Sequence, residues 1–449
     1  MKKKFLKYFI ICTAIMMFMS SRAIAVTYEI PVWSSQNNKI NTITSSNSVN
    51  NVSNIATTNE IINTSKNVIS NVNSANTTNS SNILNTNSAI SDNPLKLTCG
   101  SAILIEQNSG NVLYEYNMHE KLRPASVTKV MTILLIMEAL DSGRILLTDK
   151  VSCSENASNM GGSQIWLDTR EELTVDEMLK AICVVSANDC TVAMAEFLEG
   201  SEEAFVAKMN ERAKELGMND TTFMNCHGID EDGHLTSSYD IAIMSRELLT
   251  KHKSITNYTT IYIDSLRDGK SELVNTNKLV RNYNGCTGLK TGSTSIALFN
   301  LSASATRNGL SLIAVVMKSP TSNDRFNEAK KLLDYGFSNY QYVDLGKAGD
   351  VLESANVNKG LDPTVSAVLQ NDIGIVMKKG KNNDISQNIE IYNNISAPIT
   401  KGQKIGEVSF SSNNNEIVKA DLVADKDIAK YSFLSMTSKI YKTWFTLIR

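Results

Sequence analysis

The 449-residue chain is short of several things, and each shortage excludes a class. There are 44 Lys and Arg against 46 Asp and Glu, so no surplus of positive charge is present to hold a nucleic-acid backbone. Proline and glycine number only 6 and 22, which excludes a collagen-like rod. No apolar run reaches the roughly 20 residues a spanning helix needs, so a multi-span membrane protein is excluded too. The 7 cysteines form no C-x-x-C pair and the 4 histidines form no cluster. A zinc site is therefore not expected, and the chain implies no metal and no other cofactor.

What is present begins with Lys2, Lys3, Lys4 and Lys7, an apolar stretch from Phe9 to Met19, and Ala23-Ile24-Ala25. A charged start, a short apolar core and an Ala-x-Ala site predict a cleaved export signal over 1–25. Removing it would take away five positive charges (four Lys and Arg22) and leave 39 positive against 46 negative residues. Six cysteines would remain: Cys99, Cys153, Cys183, Cys190, Cys226 and Cys286. Six allow 15 pairings, among which sequence cannot choose. In a large domain such residues are more often small buried apolar groups than staples, so mostly free buried thiols are expected.

Residues 26–93 read as a spacer. From Ser34 to Asn93, 39 of 60 residues are Asn, Ser or Thr, and glycine is absent. Scattered Ile and Val cannot enclose enough apolar surface to offset the entropy of ordering.

The pattern changes at Lys96. Ala102–Ile105 and Val112–Tyr114 read as a hairpin around Asn108-Ser109-Gly110-Asn111. Val127–Leu140 is apolar on nearly all sides and reads as a buried helix. Val175–Leu198 is helical with a break around Ser186–Asp189. Ser201–Leu216 is an amphipathic helix with Phe205, Met209 and Ala213 at four-residue spacing. Leu298–Ala305 and Leu310–Met317 read as strands joined by Arg307-Asn308-Gly309, and Phe326–Phe337 as a closing helix. Beyond Gln341, short apolar runs at Val365–Leu369, Ile373–Met377, Ile389–Tyr392 and Ile405–Phe410 suggest a small all-β module. Ile428–Arg449 carries Phe433, Met436, Ile440, Trp444 and Leu447 at spacings of three and four, with interspersed cations, which is the pattern of an interfacial helix.

Three short motifs stand in order: Ser126-Val127-Thr128-Lys129, Ser186-Ala187-Asn188 and Lys290-Thr291-Gly292. A serine hydroxyl needs an adjacent base to become nucleophilic. Lys129, three residues on, shares a helical face with Ser126. An amine serves as a base only if burial or a nearby cation lowers its pKa, and Lys290 could be that cation. Ser186 could relay a proton, Asn188 could hold a peptide carbonyl, Lys290 and Thr291 a carboxylate, and Gly292 could admit a ligand close to the backbone. Read singly, the first motif is better explained as a helix N-cap serine with a solvated lysine, while the second also fits a helix-terminating Ser/Asn turn and the third an ordinary β-turn.

Jointly, and with their flanks, the motifs resemble the serine D-alanyl-D-alanine carboxypeptidases, the low-molecular-mass penicillin-binding proteins. The carrying segments are Arg123–Lys129, Met160-Gly161-Gly162-Ser163-Gln164, Asn225-Cys226-His227-Gly228, Asn275-Thr276-Asn277-Lys278-Leu279 and Gly288–Gly292. The resemblance implies an α+β fold. A DD-peptidase/β-lactamase-like domain, an antiparallel sheet flanked by helices, would span 94–340. A β-rich domain would follow over 341–426, and a membrane-docking helix over 427–449. It implies that Ser126 attacks the D-Ala-D-Ala carbonyl of a peptidoglycan stem, that Lys129 takes its proton and that Ser186 relays one to the leaving D-alanine. Asn188 would orient the acyl part, and Lys290 and Thr291 would hold the terminal carboxylate. The N–H groups of Ser126 and Ser293 would form the oxyanion hole, with Arg325 near the carboxylate site and His119, His227 and His234 serving structure. Implied partners are stem peptides, β-lactams and a membrane surface, outside the cytoplasmic membrane, and no nucleic acid. Ser293 stands where several relatives carry His or Tyr, and Ser295–Leu298 lacks the Ala-Gly pair the family leads one to expect. A D,D-endopeptidase would use the same residues. A class A β-lactamase would carry S-D-N rather than Ser-Ala-Asn, and a catalytically dead wall-binding protein need not keep these side chains.

Overall fold

The structure is a computed structural model that describes residues 93–380, 385–412 and 415–447. The signal over 1–25 and the spacer up to residue 92 lie outside the described residues.

A five-stranded antiparallel sheet organises the first part. Its strands are β1 (Ser101–Glu106), β2 (Val112–Tyr116), β3 (Cys286–Thr294), β4 (Leu298–Arg307) and β5 (Leu310–Ser319), in spatial order β2-β1-β5-β4-β3. Alternation along the strands feeds two cores. Ile103 and Ile105 of β1, with Ile313, Val315 and Met317 of β5, face one core; Ala102 and Leu104, with Leu312, Ala314 and Val316, face the other. The larger core takes helices α1 (Lys129–Asp141), α2 (Val175–Val184), α3 (Asn188–Glu199), α4 (Glu202–Glu215) and α5 (Ser238–Lys251). The second is closed by α6 (Ser322–Asn339) through Phe326, Ala329, Leu332 and Leu333. Each fully buried Leu or Ile contributes on the order of 1.5–3 kcal/mol, so this two-sided packing fixes the sheet on which the third motif lies.

Helix starts follow from local chemistry. Thr174 and Glu177 form a reciprocal capping box at α2, and the Ser201 and Thr321 hydroxyls accept from Ala204 N and Asp324 N at the starts of α4 and α6. α1 is buried on almost every side, as its composition predicts. Ser126 lies ahead of it, on a 3-10 turn over Ala125–Thr128.

The second part is all-β. Strands β7 (Val351–Asn356), β8 (Thr364–Leu369), β10 (Ile385–Ile391), β11 (Lys404–Ser412) and β12 (Asn415–Ala424) form a sheet in order β7-β8-β12-β11-β10. β6 (Tyr340–Gly346) pairs with β9 (Ile373–Lys378). The β7 and β12 strands carry too many polar residues to be visible in an apolar-run reading. α7 (Phe433–Leu447) ends the described chain, and among the described residues no helix is long and apolar enough to cross a membrane. Five of the six cysteines are buried, Cys286 is half-buried, and all six are free thiols.

Candidate active site

The three motifs, 164 residues apart from Ser126 to Lys290, converge. In the 3-10 turn, residues three apart lie on one side, and Lys129 Nζ stands 3.1 Å from Ser126 Oγ. The amine is fully buried and has two further acceptors, Asn188 Oδ1 at 2.6 Å and His227 O at 2.7 Å. Burial, and then the charge of Lys290, push its pKa well below the usual lysine value. A neutral amine has two hydrogens and one lone pair, while amide and peptide oxygens only accept. Asn188 Oδ1 and His227 O therefore take the two hydrogens, and the lone pair is left facing the Ser126 hydroxyl.

The second motif occupies the break between α2 and α3. Ser186 adopts φ +66°, in the left-handed region, and among the described residues its buried Oγ has no hydrogen-bond partner. Strain and an unsatisfied hydroxyl together mark a position held for something other than stability. Asn188 heads α3: its Nδ2 donates to Gly161 O at 2.6 Å and its backbone N to Ser163 O at 2.7 Å.

The third motif corrects the turn reading. Lys290-Thr291-Gly292 lies inside β3, an edge strand of the main sheet, hidden in sequence by its glycines and hydroxyl residues. Gly292 also answers to packing. A Cβ there would stand 2.8 Å from Pro124 O and Val127 N and 2.9 Å from Ser126 N, so glycine lets the Ser126 turn itself press against β3. Lys290 is 1% exposed, and burial pushes its pKa down to about 7, with Arg325 adding to the fall. Its Nζ donates to Thr291 O at 3.1 Å. Thr291 Oγ1 donates to Thr276 Oγ1 at 2.8 Å, and Ser293 is exposed. Arg325 is brought to the site from behind: its Nη1 donates to Gly292 O at 3.1 Å and Asn300 O at 3.4 Å, its guanidinium lies over Phe299 and Phe326, and burial lowers its pKa to about 10.

Two contributors escaped the motif reading. His227 enters through its backbone carbonyl, which no side-chain pattern reveals, and Thr276 through its hydroxyl on Thr291. Both sit in quoted segments of the resemblance, the one available signal. The histidine rings support the frame. His234 Nδ1 accepts from Met224 N, so Nε2 donates to Thr128 Oγ1 at 2.8 Å, and Thr128 in turn donates to Ala125 O. Gly228, at φ +93°, lies so close that a Cβ would stand 2.0 Å from Ala125 O. Among the described residues no group of three or more His, Cys, Asp or Glu is arranged to hold a metal ion.

A family model described as D-alanyl-D-alanine carboxypeptidase matches residues 85–321, and one described as penicillin-binding protein 5, C-terminal domain, matches 340–430. The D-alanyl-D-alanine carboxypeptidase DacF of Bacillus subtilis (strain 168) is 46% identical over 348 residues, 77% of this chain and 89% of the relative. Penicillin-binding protein 5 from Haemophilus influenzae superposes with a TM-score of 0.62 at 32% identity, over 75% of this chain and 98% of that one. The ampicillin-bound penicillin-binding protein D2 from Listeria monocytogenes superposes with a TM-score of 0.50 at 29% identity, over 54% and 99%.

Proposed function

Because the chain belongs to the D-alanyl-D-alanine carboxypeptidase family, we propose that Ser126, Lys129 and Ser186 carry out the serine-type removal of a terminal D-alanine from peptidoglycan stem peptides. The observation that carries this is the Lys129 amine, buried, 3.1 Å from Ser126 Oγ, with two carbonyl-type oxygens directing its lone pair to that hydroxyl.

The reaction runs in two halves. The stem enters with its terminal carboxylate on Lys290 and on the Thr291 hydroxyl, whose hydrogen turns from Thr276 Oγ1 to the carboxylate, and with its acyl part on Asn188. Ser126 Oγ attacks the carbonyl carbon of the penultimate D-alanine while its proton passes to Lys129 Nζ. The resulting oxyanion sits against the N–H groups of Ser126 and Ser293. Collapse breaks the C–N bond, and the departing amine of D-alanine takes a proton from Ser186 Oγ, which recovers one from Lys129. A water then attacks the ester, gives its proton to Lys129, and releases the shortened stem as Ser126 regains its own. Thr276 and Arg325 are positioning residues, holding the Thr291 hydroxyl and the Gly292 carbonyl. A β-lactam, whose strained amide carries a carboxylate in a similar place, would acylate Ser126 in the same way.

The residue limits follow the same reading: a catalytic domain over 94–340, a β-rich domain over 341–426 and a terminal helix over 427–449. The signal at 1–25 would export the protein to the outer face of the cytoplasmic membrane, and α7, with Phe433 and Leu434 about four-fifths exposed, would rest on that surface. The test is a labelled-penicillin gel paired with mass spectrometry of treated muropeptides. Wild type should take the label and remove one D-alanine per pentapeptide, and Ser126→Ala should do neither. Label on Ser126→Ala would overturn the nucleophile, and cleavage of cross-linked dimers alone would overturn the carboxypeptidase reading.

A further inference from the structure

Trp166 is held in an arrangement that it would not adopt unaided. Its backbone is left-handed at φ +53°, where a bulky side chain clashes with the following carbonyl, yet its ring is 75% exposed. Such a conformation persists only where the surroundings impose it, and here they do so on both sides of one residue. Ile165 N and Leu167 N both donate to Asp189 Oδ2, at 3.0 and 3.1 Å. Arg267, itself paired with Glu171, donates to Ile165 O and Trp166 O at 2.9 and 3.2 Å. With its amide turned to satisfy both its groups, Gln164 accepts from Trp166 Nε1 at 3.1 Å and donates to Met160 O at 2.7 Å. The indole is thus fixed in position and orientation.

The same segment receives the second motif. Gly161 O and Ser163 O accept from Asn188 Nδ2 and Asn188 N, and Asp189 follows Asn188 at the head of α3. The ring is therefore rigidly referenced to the carboxamide that orients the acyl part of the substrate. Its one donor is already used, so it offers a ligand a flat apolar face and no hydrogen bond. That face suits an aliphatic chain rather than a carboxylate or a hydroxyl.

We infer that Trp166 is a specificity-determining residue whose indole packs against a long aliphatic side chain on the residue preceding the D-alanyl-D-alanine unit of the stem. This rests on the reading of Asn188 as the acyl-side contact. The experiment compares kcat/KM for diacetyl-L-Lys-D-Ala-D-Ala and acetyl-L-Ala-D-Ala-D-Ala in wild type, Trp166→Ala and Trp166→Phe, with end-point labelling by penicillin on each. Wild type should prefer the long side chain. Trp166→Ala should shrink that preference by about tenfold, the scale of a lost apolar contact, chiefly through KM, and Trp166→Phe should keep most of it. An unchanged preference in Trp166→Ala, or an equal fall for both peptides, would overturn the inference while label on wild type left Ser126 standing. Wild type that takes no label would overturn both readings. If Trp166→Ala does not fold, Trp166→Gln carries the same expectation.

Discussion

Lys129 Nζ and Asn188 Oδ1 lie 2.6 Å apart, and neither oxygen bonded at short range to that amine, Asn188 Oδ1 or His227 O, bears a formal charge. An aspartate at 188 would place an anion there, favour the ammonium, and remove the lone pair that faces Ser126. We expect Asn188→Asp to slow acylation by roughly 10²–10⁴ at neutral pH, the usual worth of a general base, and to move the acidic limb of the pH profile upward. Stopped-flow uptake of a fluorescent penicillin across pH measures both, and an unshifted limb would speak against the amine as base.

Lys290 sets a second limb. Its pKa of about 7 means that the free enzyme loses this charge as pH rises past neutrality. kcat/KM reports the free enzyme and kcat the complex, in which the substrate carboxylate would hold the ammonium charged. For a peptide with a free C-terminus, kcat/KM should fall above about pH 7 while kcat stays level. A C-terminally amidated peptide should lack the limb. An identical limb for both peptides would place its origin elsewhere.

That the three motifs belong together was legible from residue type and order, and the approach of Lys129 to Ser126 from their three-residue spacing on one turn. The buried α1 and the break before Asn188 were legible too, since apolar periodicity and helix-stopping residues are local signals. β3 was not. Lys290-Thr291-Gly292 fits an ordinary β-turn when read singly, and only burial between β4 and the Ser126 turn makes it a strand. His227 O was invisible because backbone groups carry no sequence signature, and the Ser186 hydroxyl, without a partner among the described residues, depends on how the chain closes around the break between α2 and α3.

Lys129 and Lys290 also shape stability. Lys290 has an ordinary pKa of 10.5 and a folded value of about 7, so between these the unfolded chain holds the extra proton and raising pH favours folding. The slope is about 1.4 kcal/mol per pH unit for one such group, and Lys129 shifts in the same direction. Buried thiols act oppositely and outnumber the lysines: Cys286 and Cys153 are raised from 9.0 to about 11 and Cys183 to about 12, and burial raises Cys99, Cys190 and Cys226 too, so above pH 9 the folded state keeps protons that the unfolded chain loses. Thermal stability should therefore climb from pH 7 to about 9 and then decline. Lys290→Met should flatten the climb in a calorimetric series, and an unaltered climb would assign it to other groups.

Gly292 separates packing from chemistry. A methyl group there would meet Pro124 O, Val127 N and Ser126 N, all within 2.9 Å, and backbone atoms cannot swing aside as a side chain can. We expect Gly292→Ala to lose about 1–3 kcal/mol, the range for overpacking, and to lose acylation far out of proportion, because the Ser126 N–H and β3 must part. Chemical denaturation and penicillin labelling on one preparation test this, and full labelling on a destabilised protein would show that the oxyanion site tolerates the shift.

α7 gives the last expectation. The fifteen described residues at 1.5 Å each make a helix of roughly 22 Å, short of the roughly 30 Å of a bilayer core and suited in length to lying along a membrane surface. Phe433, Leu434, Ile440 and Trp444 are each more than 60% exposed, an apolar surface that water disfavours and an interface would accept. Replacing Phe433 and Leu434 together by serine removes two large apolar groups worth roughly 1.5–3 kcal/mol each on full burial. Co-sedimentation with anionic vesicles should then fall by at least about tenfold even if burial in the interface is partial, while kcat/KM for a soluble tripeptide should not change. If the double variant sediments like wild type, the helix face packs elsewhere and membrane contact, should it exist, must come from another part of the chain.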